Sequence, residues 1–126
     1  MPCMLNGTLL AESLRLDAPV EVPGLRTTRI YRVDVSRSRT GTQPSTWTFL
    51  EFEAEDDVAQ QLSESLAGSL LAEGGWYADF TVQDQHVVVF ANRVFRYSRG
   101  DTAARAEAEA YGRSVGVPDH QLDWGD

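Results

Sequence analysis

The sequence predicts an α+β fold: a mostly antiparallel sheet of five or six strands with two helices on one face. Three observations predict it. Short stretches in which apolar and polar residues alternate recur along the chain, separated by turn-forming residues. Two other stretches carry apolar residues at helical spacing. The 126 residues, 42% of them hydrophobic, match one ordinary domain that buries its apolar surface without disulfides or a metal.

Residues 7–16, GTLLAESLRL, show partial alternation with Thr8, Leu10, Glu12, Leu14 and Leu16 on one side, and read as a first strand. Pro19, Pro23 and Gly24 break regular structure over 17–24. In LRTTRIYRVDVS, Tyr31, Val33 and Val35 share one face and Arg32 and Asp34 the other, a second strand with one side buried. Residues 36–45, SRSRTGTQPS, have no apolar side chain and describe a mobile surface loop. TWTFLEFEA carries large apolar groups on both faces, which suits a third strand near the sheet centre.

The first helix is expected after Asp56 or Asp57, either of which can cap it, with Val58, Leu62, Leu66 and Leu70 as its buried stripe and Gly74 and Gly75 as its stop. Gly68 inside it costs about 1 kcal/mol relative to Ala, and a close approach to the sheet would explain it. WYADFTV then sets Trp76, Ala78, Phe80 and Val82 against Tyr77, Asp79 and Thr81. The chain turns at 83–85 into HVVVFA, apolar on both sides, and turns again at Asn92 and Arg93 into VFRY, read as a short strand in preference to a lead into the next helix. Asp101 opens a second helix with Ala104, Ala108, Tyr111 and Val115 buried and Arg105, Glu109 and Arg113 as an ion-pair row on another face. Gly116 stops it, Pro118 starts one further turn, and Leu122 and Trp124 return to an apolar surface. From the third strand onward this order fits a split βαβ unit, ferredoxin-like or related, with an N-terminal strand supplying the last sheet position.

The formal charge of −8 opposes binding to nucleic acid or to an anionic membrane. No apolar run is long enough for a transmembrane helix, and the N-terminus lacks the pattern of a signal peptide, so a cytoplasmic location is expected. The single cysteine, Cys3, lies where a chain end frays. All eleven basic residues are arginine, eight of them in two groups: Arg26, Arg29, Arg32, Arg37 and Arg39, then Arg93, Arg96 and Arg99. Compositional bias explains a chain without lysine; an arginine-lined anion site is the functional alternative.

His86 and His120 lack neighbouring ligands at metal-binding spacing, and no nucleophile elbow, phosphate loop or dinucleotide fingerprint is present. No cofactor is implied, and the RGD at residues 99–101 falls at a helix cap. The candidate ligand-binding residues are Tyr77, Asp79, Arg93, Arg96 and Tyr97. Tyr77 and Asp79 share a strand face, and Arg93 follows at the end of the partner strand, within expected reach of Asp79. Two readings stay open: a half-exposed ion pair that sets strand register, or a small anion pocket with arginine forks and tyrosine walls.

WYADF, then VVVFANRVFRY, then a helix ending YGRSVGVPDHQLDW resembles a pattern found in small uncharacterised bacterial proteins. There an acidic helix, a WYADF strand, a VxF-x-x-VF segment and a G-x-P-x-x-Q-L-D-aromatic ending recur. The resemblance covers residues 47–124 and implies kinship, with no activity or catalytic residue to carry over. The leading functional expectation is a non-enzymatic protein-binding module, immunity-like or regulatory. The alternative is a small anionic-ligand binder or enzyme using the Arg/Tyr cluster, and nucleic-acid binding ranks last. A free edge strand would also allow a homodimer.

Overall fold

A computed structural model describes residues 3–38, 41 and 43–124. Its elements are β1 (Met4–Leu10), β2 (Arg26–Asp34), β3 (Thr46–Glu55), α1 (Ala59–Ser69), β4 (Ala78–Val82), β5 (Gln85–Phe90), β6 (Arg93–Ser98) and α2 (Thr102–Ser114). The strands form one six-stranded sheet in the order β2-β3-β1-β4-β5-β6, antiparallel throughout. The fold is therefore α+β, an open antiparallel sheet with two helices, neither long and apolar enough to cross a membrane. Because β3 and β4 both run against β1, they are parallel to each other, and α1 joins them across it. The N-terminal strand thus fills the gap of the split βαβ crossover instead of taking the last position, and β2 and β6 form the edges.

What admits β1 to the centre is Gly7. Its cross-strand partners are Phe52 on β3 and Phe80 on β4, whose rings meet edge-on at 6.4 Å between centroids. A side chain at Gly7 would overlap the Asp79 carbonyl oxygen and the Phe80 Cβ. The buried residues flanking it are Leu5 and Leu9, one residue out of phase with the face expected from Thr8, Leu10 and Glu12. The expected strand also stops early, at Leu10, where the chain enters a 3₁₀ turn over Ala11–Ser13. Ser13 donates to the Leu10 carbonyl at 2.6 Å, and the Glu12 carboxylate accepts from the Thr48 amide at 2.7 Å and its hydroxyl at 2.8 Å. The local Ser13 bond competes with a continued ladder, and the Glu12 carboxylate ties the turn to β3. Leu14 keeps a lone bridge to Leu70, and Leu16 is 93% exposed.

The apolar residues divide by strand parity. Val87 and Val89 pack with Leu62 and Leu66 of α1, whereas Val88 and Phe90 pack with Ala108 of α2 and with Leu122 and Trp124. Successive side chains on a strand point to opposite faces, so the helices cover opposite faces of the sheet, not one. A strand apolar on both sides signals two coverings and does not say which helix supplies which.

Helix α1 follows a 3₁₀ turn at Asp56–Val58 without a side-chain cap and ends at Ser69, ahead of Gly74 and Gly75. Gly68 meets nothing that a Cβ would touch; the helical glycine of close approach is Gly112 on α2, against Leu122 and Phe90. Helix α2 is capped by Asp101, which accepts from the Ala104 amide at 3.0 Å. Arg105 pairs with Glu109 at 3.6 Å, while Arg113 turns to Asp119 at 2.7 Å and leaves the expected row. Strand β2, expected to bury one face, is exposed except for a half-buried Tyr31. It has a neighbour on one side only and lies beyond both apolar clusters.

Two stability predictions follow from these contacts. Gly7→Ala should lower the urea midpoint at constant slope, by about 1–3 kcal/mol as overpacking does; an unchanged midpoint would contradict the packing at β1. Burial works to raise the Glu12 carboxyl, but the Thr48 amide and hydroxyl, helped by Arg32, outweigh it and hold it below its ordinary 4.5. A lowered folded value gives stability above the unfolded value that is lost as pH falls through the folded one. Wild type should therefore lose more urea stability than Glu12→Gln as pH falls through and below 4.5. Parallel losses would place that carboxylate in solvent.

Candidate functional site

The α2 face of the sheet is only partly covered by α2, whose cluster draws on β5 and β6. Over β1 and β3 the covering comes from loops, and a cavity of about 320 Å³ remains. Thr8 and Leu10 of β1, Trp47 and Phe49 of β3, and Asp79 of β4 share that face, because Thr8 pairs with Asp79 and Leu10 with Phe49. Trp76 and Tyr77 wall it where the chain leads into β4, and Val35, Ser38, His120, Gln121 and Asp123 close it.

Polar bonds hold this closure. Ser38 offers its carbonyl to His120 Nε2 at 2.5 Å and to Gln121 Nε2 at 2.6 Å. Gln121 also donates to Gln43 Oε1 at 3.0 Å, and Gln43 donates to the Gly74 carbonyl at 2.7 Å. Both glutamines are buried. The polar stretch expected to move freely over 36–45 is thus fastened at Ser38 and Gln43; Arg39 lies outside the described residues. Beside them Gly75 has φ +73°, and a Cβ there would stand 2.6 Å from the Gly116 carbonyl oxygen. A side chain would push the two backbones apart and open that end of the cavity.

Tyr77 links sheet to C-terminal segment. Its hydroxyl donates to the Gln121 carbonyl at 2.6 Å, with Asp123 Oδ1 at 3.3 Å, and its ring meets Trp124 edge-on at 5.2 Å. Burial, then the charges of Asp123 and Asp79, push its ionisation far above the ordinary 10.0. Both carboxylates therefore lie near one phenol.

Asp79 Oδ2 is 3.1 Å from Nε2 of His86, a residue only 3% exposed. A carboxylate only accepts, so Nε2 carries the proton. The expected Arg93 contact is absent from Asp79: in the β4–β5–β6 register Asp79 faces Val88, whereas Arg93 faces Phe90 and belongs to the next strand. The Arg93 guanidinium instead lies over the rings of Phe95 at 4.7 Å and Tyr111 at 5.5 Å. Arg96, opposite Val87 and so on the α1 face, donates to Gln85 at 2.5 Å. Tyr97 is buried, its ring 6.1 Å from that of His86 and its hydroxyl accepting from Trp124 Nε1 at 2.8 Å. Of the five candidate residues, Tyr77 and Asp79 meet in the cavity wall, Tyr97 stands behind them, and the two arginines lie elsewhere.

Trp47, Phe49, His120 and Asp123 were not among the sequence candidates. Their signals were faint: Trp47 and Phe49 sit at strand alternation with the charged Glu51 and Glu53, and Asp123 closes the Q-L-D-aromatic ending. Trp47 is 9% exposed, and its indole N–H is buried without a hydrogen-bond partner among the described residues. Among the described residues no three His, Cys, Asp or Glu side chains group as metal ligands. The lining therefore offers aromatic faces and two carboxylates. No family model matches the chain, and no curated protein or solved structure does.

Tyr77→Phe should cost about 1 kcal/mol at neutral pH, since it strands the Gln121 carbonyl. A folded value above the unfolded 10.0 gives stability that is complete below pH 10.0 and lost as the pH rises beyond it. The urea midpoint of wild type should accordingly fall more steeply above pH 10.0 than that of Tyr77→Phe. Equal slopes would mean that the phenol reaches solvent.

Proposed function

We propose that the protein is a small-molecule binding module whose ligand enters the cavity between the β1–β3–β4 face and the C-terminal segment. The observation that carries this reading is the lining itself. A concave site of about 320 Å³, mostly apolar with a few polar groups, is the usual form of a small-molecule site. The rings of Trp47, Phe49, Trp76 and Tyr77 supply its aromatic walls, and Asp79 and Asp123 are its carboxylates. The expected alternative of an anion held by the Arg/Tyr cluster draws no support from Arg93 and Arg96, which do not converge on Tyr77 and Asp79.

Calorimetry with 2-phenylethanol, a neutral probe carrying one ring and one hydroxyl, tests the reading. Binding with a negative heat-capacity change is expected. Phe49→Ala, which removes an aromatic wall worth ~1 kcal/mol, should weaken it about five- to tenfold. Heat of binding that is absent, or indifferent to Phe49→Ala, would count against the cavity as a site.

A second reading, the protein-binding module of immunity-like or regulatory type, is favoured by β2. Its outer edge is unpaired, and Ile30 is 64% exposed on it. Edge strands of this kind add a strand from a partner, a second copy being the simplest. The register shift between Thr27 and Arg29 confines such pairing to residues 29–34. Sedimentation over a wide concentration range should then show a dimer that Ile30→Pro abolishes; a monomer throughout excludes self-pairing there.

A further inference from the structure

Resting on the cavity reading, we infer that the ligand is an organic cation: an ammonium group carried on an aromatic or branched apolar body. Among the described residues, the formal charges in the lining are the carboxylates of Asp79 and Asp123, the other ionisable side chains there are His120 and Tyr77, and no arginine lines it. That is notable in a chain with eleven of them. Four arginines of β6 and α2 engage elsewhere: Arg93 over Phe95 and Tyr111, Arg96 on Gln85, Arg105 on the Trp124 carbonyl and Glu109, Arg113 on Asp119. Asp79 is approached by the imidazole of His86 from the β5 side and shares the cavity lining with the aromatic residues. A carboxylate set against apolar walls favours an incoming positive charge, because the low local dielectric strengthens the attraction.

The aromatic side chains support the same sign. Trp47, Phe49, Trp76 and Tyr77 present rings whose faces attract cations, tryptophan most of all. Trp47 and Trp76 stand 5.5 Å apart between centroids at 59°, and both border the cavity. An anion would meet two carboxylates and the negative faces of these rings. A bare metal ion would need three or more clustered donors, which the described residues do not provide. An organic cation satisfies the carboxylates through hydrogen bonds and the rings through its body. The net charge of −8 attracts it from a distance.

The test compares three probes of one size by calorimetry at neutral pH: phenethylamine, 2-phenylethanol and 3-phenylpropionate, each with wild type, Asp79→Asn and Asp123→Asn. Asparagine at 79 can still accept from His86 Nε2, so the fold should survive, which the urea midpoint checks. The expected order is amine, then alcohol, then carboxylate, with the amine at least about tenfold tighter than the alcohol. Added salt should shrink that margin. Asp79→Asn should bring the amine to the level of the alcohol while leaving the alcohol unchanged, and Asp123→Asn, at a more exposed position, should reduce the margin severalfold. An alcohol that binds as tightly as the amine overturns the inference and leaves the cavity reading standing. So does a carboxylate that binds tightest. If none of the three binds, the cavity reading fails and the inference with it.

Discussion

From His86 to Phe90 every side chain of β5 is buried, and this two-sided burial is the constraint on which the rest depends. A strand apolar on both faces must be covered twice, since each Val or Phe moved out of water stabilises by roughly 1.5–3 kcal/mol. Helix α1 meets the demand on one side through Leu62 and Leu66. On the other side the demand centres on Phe90, whose ring has Tyr77, Phe95, Tyr111 and Trp124 within 5.1–6.4 Å. One short helix cannot enclose a ring of that size, so the segment after α2 folds back and brings Leu122 and Trp124 to finish the layer.

The cavity is a consequence of that return. Once Trp124 is docked, with its indole donating to Tyr97 and the Arg105 guanidinium 5.3 Å from its ring centroid, the residues just before it must cross the open part of the sheet. They do so over β1 and β3, where Trp47 and Phe49 stand at one end and the pairs Arg26–Glu53 and Arg29–Glu51 leave the other to water. The crossing is secured by hydrogen bonds from Gln43, Gln121 and Tyr77 instead of by apolar filling. Polar ties of fixed length hold a roof at a distance, whereas apolar contacts would draw it down. Space is left between roof and sheet, with Asp79 in its floor and Asp123 at its rim.

Much of this was legible locally. The Asp101 cap, the α2 stripe and the three strands from Ala78 to Ser98 declare themselves through periodicity and turn residues that act over a few positions. The phase of β1 was hidden because its central core position is Gly7, which carries no hydrophobic signal, while Leu10 points away from that core. The helix faces were hidden because VVV in β5 looks the same from either side. Tyr77 and Asp79 could be read as the polar face of a strand. Their partners could not, since His86 reaches Asp79 through hairpin register and Gln121, Asp123, Trp47 and Phe49 arrive through tertiary closure. Arg93 misleads for the same reason: nearness along the sequence suggested Asp79, but one strand intervenes.

The central claim is that Trp47 and Trp76 face a ligand while Trp124 is structural, and the three indole N–H groups of the chain give three signals in a proton–nitrogen correlation spectrum. Titration with phenethylamine is the most direct measurement. The Trp47 and Trp76 signals should move together along one saturating curve, with Trp124, bonded to Tyr97, nearly still. Movement of Trp124 alone, or no movement of any indole at concentrations where the amine is present in large excess, would contradict a ligand seated between the sheet and its C-terminal roof.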